Sequence, residues 1–252
     1  MEVSYYNLSG GINQALTKTE LGSDTKKIYW TDSENIEILQ NRGIIKQNGN
    51  TKFLELPESE AVTGLFEMRS GKRLKLVITT VSGKIYIYNY QNLELIKLEK
   101  TITGTNPVFA SFLDGVLISS NSDSLFYIKN NDDNEVVDCN LKDDKENDVY
   151  SEVICVYNGR VWVASGSVMY YSALGTYDDF STSGDAGYIR NFYTNTDSIT
   201  ALKPYKDYLA IYKKSEVYLL TGMSEDDFAI VPFANKGAYS SRSIINVENK
   251  QY

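Results

Sequence analysis

The sequence predicts an all-β fold, and three observations predict it. A short apolar stretch recurs at Val62 (VTGLF), Val108 (VFASF), Val153 (VICVY), Ile199 (ITALK) and Ile244 (IINVE), every 45 or 46 residues. After a polar turn, each of the four full copies carries a second apolar stretch: LKLVIT from Leu74, VLIS from Val116, VWVA from Val161 and LAIY from Leu209. A third stretch bearing tyrosine then follows: KIYIYNY from Lys84, SLFYIK from Ser124, VMYYSA from Val168 and EVYLLTG from Glu216. Repeats of this length built from several short strands mark the blades of a β-propeller. The expected fold is therefore a propeller of about five blades of short antiparallel strands.

Taken in order, residues 1–42 read as an N-terminal arm and connection, because SGGINQALTKTEL is polar and holds adjacent glycines. The propeller is expected over 43–252. Its first part, Gly43 to Leu56, reads as a hairpin turning at Asn48-Gly49, since Asn-Gly supplies the positive φ that a tight turn needs. The fifth copy begins at Ile244 and has room for one inner strand and the start of a second. Two arrangements follow: the N-terminal hairpin completes the fifth blade and closes the ring, or the chain is a piece of a larger propeller. Closure would remove two sheet edges that otherwise invite pairing with other chains.

Within each blade the first stretch is expected nearest the axis and most apolar, covered by neighbouring blades on both faces. Small residues there, Gly64, Ala110 and Ala201, suit a crowded axis. Turns are expected at Ser82 (SGK), Asp114-Gly115 and Asn158-Gly159. The longest connection, about Gly175 to Thr196, reads as a surface excursion containing one outer strand.

Composition sets further bounds. With 33 acidic and 25 basic residues in 252, and no histidine, the formal net charge is −8, which gives no general attraction for nucleic acid or anionic membrane. The acids gather at Asp132–Glu135, Asp143–Asp148, Asp178-Asp179 and Glu225–Asp227. They read as solvated connections; none has the spacing of a calcium loop, so no metal is expected. Cys139 and Cys155 read as free thiols. No apolar run is long enough to span a bilayer, and MEVSYYNLSGG lacks a basic region followed by an apolar core.

The absence of histidine excludes histidine-based triads, dyads and zinc sites. No glycine-rich phosphate loop is present. A propeller glycosidase needs paired carboxylates near the axis, yet only Glu67 and Asp114 approach the inner stretches, and both are expected at turns. Trp30 and Trp162 read as packing between blades rather than sugar platforms. The sequence accordingly offers no catalytic, cofactor-binding or metal-binding residue and predicts no enzyme.

Several segments resemble bacteriophage virion propeller proteins of the neck and tail, of the tail nozzle or packaged-DNA stabilisation type. They are Gly10–Asn13 (GGIN), the Asp32, Glu34, Asn35, Ile36 group, and the turn-flanked strand from Gly43 to Gly49. Further along, YYSALGTYDDFSTSGDAGYI, DSITALKPYKDYLAIYKKSEVYLLTG and KGAYSSRSIINVENKQY are similar to the same group. The resemblance implies a structural protein of a phage or prophage virion, made in the bacterial host cytoplasm. Its partners would be copies of itself and other neck or tail proteins, with DNA only as cargo. It implies no membrane insertion, cofactor, small-molecule substrate or catalytic residue. The residues also leave open a propeller binding module for a host surface glycan or protein, and, further off, a propeller glycosidase.

Overall fold

The computed structural model describes residues 11–12, 29–30, 36–38, 44–46, 49, 51–190, 197–247 and 250–251. The chain forms two compact units, Met1–Pro57 and Glu58–Tyr252. In the first, β1 (Gly11–Ile12) pairs in parallel with β2 (Tyr29–Trp30). There, too, β3 (Ile36–Ile38) pairs antiparallel with β4 (Ile44–Lys46), Ile36 opposite Lys46 and Ile38 opposite Ile44. This differs from the expected hairpin over Gly43–Leu56. The partner of 44–46 lies upstream, where Ile36 and Ile38 offer β-branched residues in alternation. Residues 51–57 form no strand; Phe53 is exposed, and Lys52 pairs with Glu55 at 2.7 Å along the same segment.

The second unit contains four consecutive antiparallel four-stranded sheets, a propeller-like arrangement. Sheet 1 is β5 (Val62–Ser70), β6 (Arg73–Thr80), β7 (Lys84–Asn89) and β8 (Glu94–Thr101). Sheet 2 is β9 (Val108–Phe112), β10 (Gly115–Ser119), β11 (Phe126–Ile128) and β12 (Val136–Asp138). Sheet 3 is β13 (Val153–Tyr157), β14 (Arg160–Ser165), β15 (Val168–Tyr171) and β16 (Gly187–Ile189). Sheet 4 is β17 (Ala201–Tyr205), β18 (Tyr208–Tyr212), β19 (Val217–Thr221) and β20 (Ala229–Ala234). First strands of successive sheets touch, β5 with β9, β9 with β13 and β13 with β17. A short 3-10 helix, Ser241–Ser243, precedes a pair formed by β21 (Asn246–Val247) and β22 (Lys250–Gln251) in the fifth copy.

Alternation along the strands builds the core. Val116, Ile118, Phe126 and Ile128 of sheet 2 face Met68, Val77, Ile85 and Ile87 of sheet 1. On the opposite face of sheet 2, Leu117 and Tyr127 meet Ile154, Val161 and Val163 of sheet 3. Trp162, Met169 and Tyr171 then meet Leu209, Ile211, Tyr218 and Leu220 of sheet 4. Each such aliphatic side chain contributes about 2 kcal/mol of burial.

In sheets 1, 2 and 4 the second and third strands are more buried than the first, whereas in sheet 3 the first strand, β13, is as buried as they are, as expected for VICVY. β10 and β11 are buried throughout, whereas β5 and β9 are largely half-buried or exposed. A middle strand has a hydrogen-bonded neighbour on both sides and a sheet over each face. The first strand has one open side. Gly64 does sit at a close approach, as expected: a Cβ there would lie 2.7 Å from the Phe109 ring of sheet 2.

One hairpin device repeats in every sheet. The first and second strands are joined by two residues, Gly71-Lys72, Leu113-Asp114, Asn158-Gly159 and Lys206-Asp207. The first of each pair has φ between 48° and 57°. Asn158-Gly159 was expected to turn in this way. At Asp114-Gly115 the positive φ belongs instead to Leu113, and Gly115 is glycine for space: a Cβ would lie 2.2 Å from the Ile128 carbonyl oxygen and 2.5 Å from the Tyr127 ring.

Candidate functional site

In sheets 1 and 3 the residue that opens the second strand is an arginine that reaches the next sheet. In sheet 1, Arg73 donates to the Asn130 carbonyl (3.1 Å) and pairs with Asp132 (3.2 Å), in the loop between β11 and β12. Two residues on, buried Lys75 donates to the Asn131 carbonyl (2.5 Å) and the Asn134 side chain (2.7 Å). Burial, reinforced by the Arg73 charge, pushes the Lys75 ammonium below its ordinary value.

At the equivalent place in sheet 3, Arg160 is 2 % exposed and fully engaged. Its guanidinium donates to the Ser172 carbonyl (2.9 Å), the Asp185 carbonyl (2.5 Å), the Asp185 carboxylate (2.6 Å) and, from two nitrogens, the Met223 carbonyl of sheet 4. That contact holds the Asp185 carboxyl below the usual range. The 172–186 excursion is thus tied down: Ser172 accepts from the Val161 N–H, and Asp179 accepts from the Ser181 and Thr182 N–H groups. Its expected outer strand is β16.

The acidic loops act on their own backbones. Asp143 accepts from the Lys145 and Asn147 N–H groups, and Asp227 from those of Met223 and Ser224. These are side-chain turn caps. Among the described residues no three metal-ligating side chains converge. Cys139 and Cys155 are free and buried, and burial pushes the Cys155 thiol up to about 12. Trp162 is core, donating to the Tyr157 carbonyl at 3.2 Å. Of the two carboxylates weighed for hydrolysis, Asp114 is at a turn, beside the Tyr127 hydroxyl at 3.0 Å. Glu67 is not at a turn but within β5, exposed and paired with Arg69 at 3.2 Å.

A cavity of about 380 Å³ opens at the starting ends of the first strands of sheets 2, 3 and 4. Val108, Val153 and Ile199 form its apolar part; Asn106, Glu152 and Thr200 form its polar side. The segment leaving sheet 4 closes it with Tyr239, Ser240, Ser241 and Arg242. That segment is held where Thr200 donates to the Ala238 carbonyl (2.6 Å) and the Ala238 N–H donates to the Lys213 carbonyl (3.0 Å). Gly237 permits the approach, because a Cβ there would lie 1.8 Å from the Lys213 carbonyl oxygen. The Ser240 hydroxyl caps the 3-10 turn by accepting from the Arg242 N–H. The cavity contains a single carboxylate, Glu152, so it lacks the pair that glycoside hydrolysis requires. Sequence reasoning missed it because Tyr239–Arg242 lies between repeat copies and has no periodic signal; the turn-forming Gly237 and Ser240 were the available clue.

The sequence matches no protein-family model, and no curated protein matches it. Among solved structures, the chain is similar to PorZ, a bacterial surface component of the type IX secretion system of Porphyromonas gingivalis. The identity is 13 % and the TM-score 0.50, over 79 % of this chain and 32 % of that one. It is also similar to two computationally designed proteins. Ika4 has 10 % identity and TM-score 0.45, over 75 % of this chain and 100 % of that one. Ika8 has 11 % and 0.47, over 76 % and 54 %. The chain therefore spans about a third of PorZ and about half of Ika8. The likeness to PorZ concerns fold alone.

Proposed function

We propose that this chain is a non-enzymatic structural protein of a phage or prophage virion, a neck or tail component assembling with copies of itself and other virion proteins around the DNA channel. The observation that carries the non-enzymatic part is where the charged groups are spent. Arg73, Lys75 and Arg160 bind loops across sheet boundaries, and the acidic loops cap turns, so these groups serve architecture. The virion placement rests on the sequence resemblance, and one of its segments, 170–189, contains the excursion that Arg160 ties down.

In this reading the propeller has five blades, the fifth supplied by the last repeat copy together with N-terminal strands. Support comes from the repeat spacing of 45 or 46 residues, which the fifth copy at Ile244 continues. DNA would pass between copies rather than along a propeller axis. The net charge of −8 suits a conduit that does not hold DNA.

Mass spectrometry of gradient-purified particles from the source phage or induced lysogen tests this reading. The chain should be present in fixed ratio to neck and tail proteins. Its absence from particles, in cells that express it, would overturn the proposal.

A further inference from the structure

We infer that the cavity at the starting ends of β9, β13 and β17 binds a neutral saccharide unit. This goes beyond the virion reading and stands independently of it. The first support is an arginine without a carboxylate. Arg69, Arg73, Arg160 and Arg190 pair with Glu67, Asp132, Asp185 and Asp144 respectively. Arg242 alone among the described arginines has no such partner; its guanidinium reaches only the Pro107 carbonyl, at 3.5 Å. Glu152, in the same cavity, also has no ion-pair partner among the described residues.

These two groups select by charge. An anionic ligand would meet the Glu152 carboxylate and a cationic one the Arg242 guanidinium, each a like-charge contact, and both groups are solvent-exposed. A neutral polyol suits both, donating hydroxyl protons to Glu152 and accepting from the guanidinium, while the Asn106 amide can do either. Tyr239 is 83 % exposed and offers a ring face at the rim, and the apolar part suits the C–H side of a sugar ring. The cavity volume lies within the small-molecule range of about 300–1,000 Å³.

Ligand-observed NMR on the full chain tests the inference, with the methyl glycosides of glucose, galactose, mannose and N-acetylglucosamine as probes and N-acetylneuraminic acid as the charged comparison. At least one neutral glycoside should bind. Arg242→Ala and Tyr239→Ala should each weaken that binding on the order of tenfold, the scale of one lost hydrogen-bond or stacking contact. Arg69→Ala should leave it unchanged. Tyr239 is so exposed that its replacement leaves the fold intact, so the test survives even if Arg242→Ala is unstable. No binding by any neutral glycoside, binding of N-acetylneuraminic acid alone, or undiminished binding by Tyr239→Ala would overturn the proposal.

Discussion

The boundaries between sheets 3 and 4 and between sheets 2 and 3 solve the same problem in different ways. At the first, Arg160 opens the second strand of its sheet and reaches across to the Met223 carbonyl, as Arg73 reaches from sheet 1 to the Asn130 carbonyl. At the second, the equivalent residue is Gly115, and the space is filled by Tyr127. Its ring stacks on Tyr177 of the sheet 3 excursion, with centroids 4.0 Å apart and planes at 18°. Its hydroxyl lies 2.9 Å from the Phe112 carbonyl, and burial beside Asp114 pushes the phenol above its ordinary value. The lesson concerns tolerance: a boundary is filled either by a cation from the second strand or, where that position is glycine, by an aromatic ring from the third.

The largest break in this comparison should come from Arg160→Ala, which leaves three carbonyls and a carboxylate without their donor. Urea unfolding should show a loss of about 3 kcal/mol. Arg160→Lys should recover only part, because an ammonium cannot reproduce the fork. At the aromatic boundary, Gly115→Ala should cost about 2 kcal/mol through overlap with Tyr127 and the Ile128 carbonyl. Tyr127→Phe keeps the stack and loses one hydrogen bond, about 1 kcal/mol in the same measurement. Lys75→Met should cost less than about 1 kcal/mol, since removing a desolvated charge offsets the lost bonds.

Acid separates the two boundaries with the smallest effect. Arg160 holds the Asp185 carboxyl below its ordinary value, and Lys84 and Ser82 bring Glu60 down to about 2. Depressed carboxylates contribute stability that is present above their unfolded values, about 4, and lost as pH falls through the folded ones. Thermal midpoints should therefore be level from pH 7 to 5 and fall below about pH 4. Asp185→Asn should flatten that fall, whereas Tyr127→Phe should leave its slope unaltered, because a phenol does not titrate there.

The second and third strands were legible in the sequence, because residues such as Val116–Ser119 and Val168–Tyr171 are strand-forming, apolar and periodic. Burial was misread for the first strands of sheets 1, 2 and 4 but not for VICVY of sheet 3: VTGLF is as apolar as the middle strands, yet Leu65 is exposed. Glu67 read as a turn residue because nothing local reveals that β5 extends to Ser70. The pairing of β4 was hidden by a strong Asn-Gly signal that no second strand answers. Arg160, Gly115 and the cavity depend on contacts between distant segments, such as Arg160 with Met223 and Arg242 with Pro107. No short pattern encodes those.

The central claim is that Arg73 and Arg160, which open the second strands of sheets 1 and 3, hold neighbouring sheets together, each at its own boundary. Hydrogen–deuterium exchange of Arg160→Ala against the unaltered chain tests it most directly. Protection should fall in 172–186 and around Met223, while Val116–Ser119 and Phe126–Ile128 keep theirs. Unchanged exchange in 172–186, or an equal loss across all four sheets, would contradict the account.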